Sequence, residues 1–81
     1  MSMTATIEEI SKLIGLQLGK RQVRVDDRIV EDLGAESADI ANIIATLDEK
    51  YQIEIPEEEI PAIRTIGDLF EIVQRLLARD T

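Results

Sequence analysis

Aliphatic side chains return every three or four residues in three stretches of this chain, and glycines or prolines stand between the stretches. That periodicity marks helices buried along one face. In the first stretch Ile7, Ile10, Ile14 and Leu18 share a stripe, with Leu13 beside them. In the second, Ile40, Ile44, Leu47 and Tyr51 make one row that Ile43 widens. In the third, Ile66, Leu69, Phe70, Val73, Leu76 and Leu77 supply the buried face. With 81 residues there is material for one small domain, residues 1–81. Ile, Leu, Val, Phe and Tyr number 27, 13 of them Ile, which is enough apolar surface to fold despite the heavy charge. Tyr51 and Phe70 are the only aromatics, so the core is aliphatic and offers no base-stacking platform.

The boundaries can be read from the breakers. Thr6 and Glu9 fit a capping box, and Gly19 suits the left-handed position past a helix end. A helix is expected over Ile7–Leu18. Residues 20–36 then form a connection too long to be idle. Val23, Val25, Ile29, Val30 and Leu33 are expected to pin it to the core; a short strand at Val23–Val25 would have no evident partner. Gly34 releases the chain into a second helix, Ser37–Tyr51. There Ser37 takes the cap or the first turn, and Glu36 and Asp39 meet the positive end of the helix dipole. Pro56 closes the segment 52–55 and opens a short acidic turn that Pro61 stops. Thr65 opens the last helix, with Asp68 three residues on. The expected fold is all-α, a four-helix bundle of three longer helices and one short one, with a long first loop.

Composition removes most chemistries. There is no Cys and no His, so disulfides, thiol nucleophiles, Cys/His zinc sites and histidine bases are absent. A serine nucleophile would lack its base. The carboxylates fall on loops and polar helix faces, and the pairs Asp26–Asp27 and Glu31–Asp32 do not match a calcium loop, so no metal site is expected. The four glycines build no phosphate-cradling loop. The chain is expected not to be an enzyme. A net charge of −8 argues against nucleic acid. No apolar run is long enough to span a membrane and no secretory signal is seen, so a cytoplasmic monomer is expected. The charge is also uneven. Residues 26–59 hold 12 acids and two bases, a net −10, while the rest of the chain carries +2. Such a segment is either a solvated face that aids solubility or a docking surface for basic partners.

A serine at a helix start is ordinarily a cap. Ser37 differs in three respects: a glycine-containing turn before it should expose the hydroxyl, the helix N-terminus favours an attached phosphate, and the most acidic region surrounds it. The run Val30–Glu31–Asp32–Leu33–Gly34–Ala35–Glu36–Ser37–Ala38–Asp39 is followed by an Ile-rich helix, Asp48–Glu49–Lys50–Tyr51, Glu54–Ile55–Pro56 and Glu57–Glu58–Glu59. This order resembles acyl carrier proteins over nearly the whole chain, most strongly over residues 29–69. The resemblance implies a bundle whose serine, here Ser37, bears a 4′-phosphopantetheine arm that a phosphopantetheinyl transferase attaches from coenzyme A. The thiol of that arm carries acyl groups as thioesters between enzymes of fatty-acid, polyketide or related synthesis, so the sulfur missing from the chain arrives with the group. By the same likeness Ile44, Leu47, Ile55 and Ile63 line an acyl pocket, where periodicity alone gives them a core role. Burial of cargo there would gain about 0.8 kcal/mol per methylene. Glu36, Ala38, Asp39, Asp48 and Glu49 are the expected contacts for partner enzymes with basic docking patches. The family's usual Asp-Ser-Leu reads Glu36–Ser37–Ala38 here, and Asn42 and Ala45 stand where many members carry Glu and Met, which points to a specialised carrier. Two rival readings are an unmodified helical adaptor, with Ser37 a plain cap, and a carrier of aminoacyl or peptidyl groups.

Overall fold

Thr6 begins the first helix by accepting the Glu9 amide on its hydroxyl at 3.1 Å, which satisfies one of the donors every helix start leaves open. In the computed structural model, which describes residues 4–79, this helix is Ile7–Leu18 (α1). The expected capping box forms by half. The Glu9 carboxylate turns instead toward the second helix, where it accepts the Tyr51 hydroxyl at 3.2 Å and pairs with Lys50 at 3.9 Å. Gly19 ends α1 at φ 70°, and its freedom from a Cβ makes that conformation cheap.

The second helix, Ser37–Tyr51 (α2), and the last, Ile66–Arg79 (α3), also match the sequence reading at their starts. Between them Glu57–Ala62 makes a short 3-10 helix. Pro61 lies inside this element and does not stop it, and Pro56 precedes it as the cap. A two-turn element with i→i+3 bonds loses only one donor to an internal proline, so the break expected of an α-helix does not follow.

α1 packs against both α2 and α3. Ile10 and Ile14 of α1 meet Ile43 and Leu47 of α2 and Ile66, Leu69 and Val73 of α3 in one fully buried cluster. Each such side chain contributes about 1.5–3 kcal/mol relative to an exposed position. Ile72 joins the buried set, a residue the spacing argument passed over. No polar side chain is buried among the described residues. Tyr51 is the near exception: its ring is buried while its hydroxyl reaches Glu9, and burial followed by the Glu9 charge pushes its pKa up to about 12.

The long connection is held differently from the sequence expectation. Ile29 and Leu33 are buried and Val23 is half-buried, but Val25 and Val30 are 51% and 53% exposed. Backbone bonds replace the missing side-chain anchors. The Ile29 amide donates to the Arg64 carbonyl at 2.8 Å, the Ile66 amide to Asp27 at 3.2 Å, and the Gly67 amide to Val25 at 2.8 Å. These bonds make Arg28 and Thr65 an isolated antiparallel bridge, and the described residues contain no strand at Val23–Val25 or elsewhere. Gly67 permits the approach, since a Cβ there would stand 3.3 Å from the Val25 carbonyl oxygen.

Candidate functional site

The start of α2 is built so that its serine is spared structural work. Glu36 occupies the cap position with extended backbone, and Ser37 is the first helical residue. Glu36 and Asp39 cap the end reciprocally, the Glu36 amide donating to Asp39 Oδ2 at 2.9 Å. Upstream, Gly34 takes φ 73° to turn the chain, and the Ala35 amide donates to the Ile29 carbonyl at 3.1 Å. The result is an exposed Ser37 whose hydroxyl has no hydrogen-bond partner among the described residues. Of the two positions open to it in the sequence, cap or first turn, it takes the first turn.

The acids around it fall into two sets. Several are tied to the scaffold. Asp48 Oδ1 accepts the Ile55 amide at 3.1 Å and so fixes the turn after α2. Asp27 accepts the Arg24 amide at 2.7 Å. Asp32 accepts the Arg28 amide at 2.8 Å and faces its guanidinium at 3.3 Å, and these contacts hold its carboxyl below the usual 3.8. Arg28 also reaches Glu31 at 3.9 Å, and Arg75 pairs with Glu59. The other set, Asp26, Glu49, Glu54, Glu57 and Glu58, is exposed and outside these pairs. Among the residues expected to contact partners, Glu36, Ala38 and Glu49 are exposed, while Asp39 and Asp48 are half-buried and bonded to backbone amides. The outer face of α2 presents Ala38, Ala41, Asn42 and Ala45, all exposed. The four residues expected to line an acyl pocket lie in one cluster: Ile44, Leu47 and Ile55 are buried, and half-buried Ile63 packs against them.

Comparison with known proteins identifies the class. The profile of the family described as a phosphopantetheine attachment site matches residues 5–78. The chain is 34% identical over 74 residues to an acyl carrier protein of Sulfurovum sp. (strain NBC37-1), covering 89% of this chain and 99% of that one. It is 36% identical over 72 residues to the acyl carrier protein of Wolinella succinogenes, covering 86% and 95% respectively. The crystal structure of an acyl carrier protein from Thermotoga maritima superposes with a TM-score of 0.79 at 26% identity, covering 93% of this chain and 89% of that one. The acetyl actinorhodin acyl carrier protein of Streptomyces coelicolor, at 21% identity and full coverage of both chains, shares the fold with a TM-score of 0.79. The chain belongs to the acyl carrier protein family.

Membership makes it a carrier with a covalently attached 4′-phosphopantetheine group. The start of α2 suits such a group. It offers an exposed hydroxyl, unshared with any cap, on the first residue of a 15-residue helix whose leading amides and dipole favour a phosphodiester. Once attached, the group supplies a terminal thiol for acyl transfer.

Proposed function

We propose that Ser37 is the attachment residue and that the chain shuttles acyl intermediates between enzymes of fatty-acid, polyketide or related synthesis. The observation carrying this reading is the Ser37 hydroxyl, exposed and without a partner among the described residues, at a helix start whose cap is Glu36. The chain acts as a monomeric carrier, one domain over residues 1–81; its radius of gyration of 11.8 Å is close to the value of about 12 Å for a compact chain of this length, which supports a single domain. It carries no catalytic centre of its own. Chemistry resides in its partners, a phosphopantetheinyl transferase first and acyl-modifying enzymes with basic docking patches after it. Glu36, Ala38 and Glu49 contact those partners directly, while Asp39 and Asp48 add charge and shape the surface. Ile44, Leu47, Ile55 and Ile63 shelter the acyl chain. A cytoplasmic setting fits these partners, and no helix among the described residues is long and apolar enough to cross a membrane.

The departure at Glu36–Ser37–Ala38, with small uncharged side chains along α2, supports service to a dedicated pathway. A partner that reads this face meets the negative charge at its edges, in Glu36 and Glu49, and little bulk between. The test is intact-mass measurement after incubation with coenzyme A and a promiscuous transferase. One phosphopantetheinyl increment is expected, absent in Ser37→Ala. An increment that survives in Ser37→Ala overturns the assignment of the residue, and no increment with any transferase favours the unmodified adaptor.

A further inference from the structure

The cations are as unevenly placed as the acids. From residue 10 to residue 25 there are four bases and no acid. Three of these bases, Lys12, Lys20 and Arg21, rim a groove between α1 and the start of the long connection, with a volume of about 680 Å³. Its walls include Leu16, Val23 and Val25, and its one acid is Glu8. Leu16 is 74% exposed, more than any other large hydrophobic residue described. Gly15 shapes the groove, because a Cβ there would stand 3.0 Å from the Lys20 carbonyl oxygen, so the connection lies directly on the helix. None of Lys12, Lys20 and Arg21 forms an ion pair among the described residues, so their charge is free to meet a partner. In a chain with nearly twice as many acids as bases, these three cations around one groove with exposed aliphatics make a local basic patch.

We propose that this groove is a second docking surface, for an acidic amphipathic helix of a partner protein. It lies outside the serine face, since no wall comes from α2. The apolar row of such a helix would cover Leu16, Val23 and Val25, and acids on its flanks would meet Lys12, Lys20 and Arg21, the helix-in-groove mode with charges setting orientation. The groove is open along its length, unlike a small-molecule pocket, which encloses most of its ligand. An anionic membrane is a poorer match. An extended negative surface meets the charge of the whole molecule, −8, whereas a seated helix feels the cations within a Debye length of about 8 Å. A second copy is disfavoured by the same net charge.

The test titrates the full ¹⁵N-labelled chain with a helical peptide of about four turns, Leu along one row and Glu on both flanks, beside a control with Lys for every Glu. The expected result is amide shifts gathered on residues 7–25, binding that weakens with salt, and no shifts of residues 7–25 with the Lys control, whose charge suits the acidic segment 26–59 instead. Lys20→Glu with Arg21→Glu should weaken binding about tenfold, and Leu16→Ser about threefold. Leu16 and both cations are exposed, so these variants should fold, and unchanged circular dichroism checks that they do. Ser37→Ala should bind the peptide like the parent, which separates this proposal from the attachment site. Shifts centred on α2, equal shifts of residues 7–25 with the Lys control, or an unaffected double variant would overturn it. Sedimentation with anionic vesicles in place of peptide binding would assign the surface to lipid, and self-association lost in the double variant would assign it to a second copy; either result overturns the proposal too.

Discussion

Ser37 and Ile66 are each the first residue of a helix, yet their surroundings are opposite. Ile66 is fully buried, and the residue before it, Thr65, spends its hydroxyl on the cap, accepting the Asp68 amide at 3.1 Å. Asp68 returns the bond and gathers the Arg64 and Thr65 amides, both at 3.1 Å. At α2 the same duty passes to Glu36 and Asp39, which leaves the serine next to them unbound and in solvent. Thr6 repeats the hydroxyl half of the α3 pattern at α1. Two helix starts use a hydroxyl as a structural acceptor and the third sets one aside. That contrast explains how a residue type that ordinarily caps a helix can be available for modification without cost to the fold.

The comparison can be broken or sharpened by measurement, beginning with the largest effect. Ile66→Ala should destabilise the bundle by about 2–5 kcal/mol in denaturant titration, because it empties a site fixed on every side. A loss below about 1 kcal/mol would show that the start of α3 is not the anchor described here. Thr65→Ala should cost about 1 kcal/mol through loss of the hydroxyl cap. Asp68→Asn should show the same order of loss at neutral pH, with a particular pH dependence. The Asp68 carboxyl is held below its ordinary 3.8 chiefly by the Thr65 amide, so its contribution is present above that value and fades as pH falls through the lowered one. Parent and variant should therefore converge in acid, and a constant difference down to strongly acid pH would contradict the cap. Magnesium should raise the melting temperature by about 2–4 °C over a monovalent control of equal ionic strength, corresponding to roughly half a kcal/mol. No group of three or more carboxylates among the described residues could hold an ion, so a gain over a control with the same Debye length comes from diffuse accumulation of the divalent ion around the net −10 of residues 26–59. Smallest of all, Ser37→Ala should leave stability within about 0.5 kcal/mol of the parent. A loss matching that of Thr65→Ala would mean that the Ser37 hydroxyl is structural after all.

The helices were legible because their signals are local. Thr6 with Gly19 for α1, and Thr65 with Asp68 for α3, act within a turn, and the isoleucine spacing states which face is buried. The long connection was not legible in the same way. Val25 and Val30 look like anchors by type, but the structure holds this segment through the amides of Ile29, Ile66 and Gly67, and a backbone donor has no letter in the sequence. Pro61 misled because the rule it suggests belongs to α-helices and not to a short 3-10 helix. Ile72 was passed over because α3 buries a stripe wider than one row. At the site, exposure of Ser37 followed from Gly34 and the acidic flanks, whereas the carboxylate caps that free it required knowing which residue begins the helix. The scaffold duty of Asp48 was hidden for the same reason as the loop bonds, since its partner is the amide of Ile55.

The bonds of the long connection also form a short mechanical relay. Arg64, just ahead of α3, is tied through its carbonyl to the Ile29 amide, and the Ile29 carbonyl is tied in turn to Ala35, two residues from the serine. The start of α3 is thereby coupled to the turn that precedes Ser37 by two steps of hydrogen bonding, so the two helix starts contrasted above share one backbone frame.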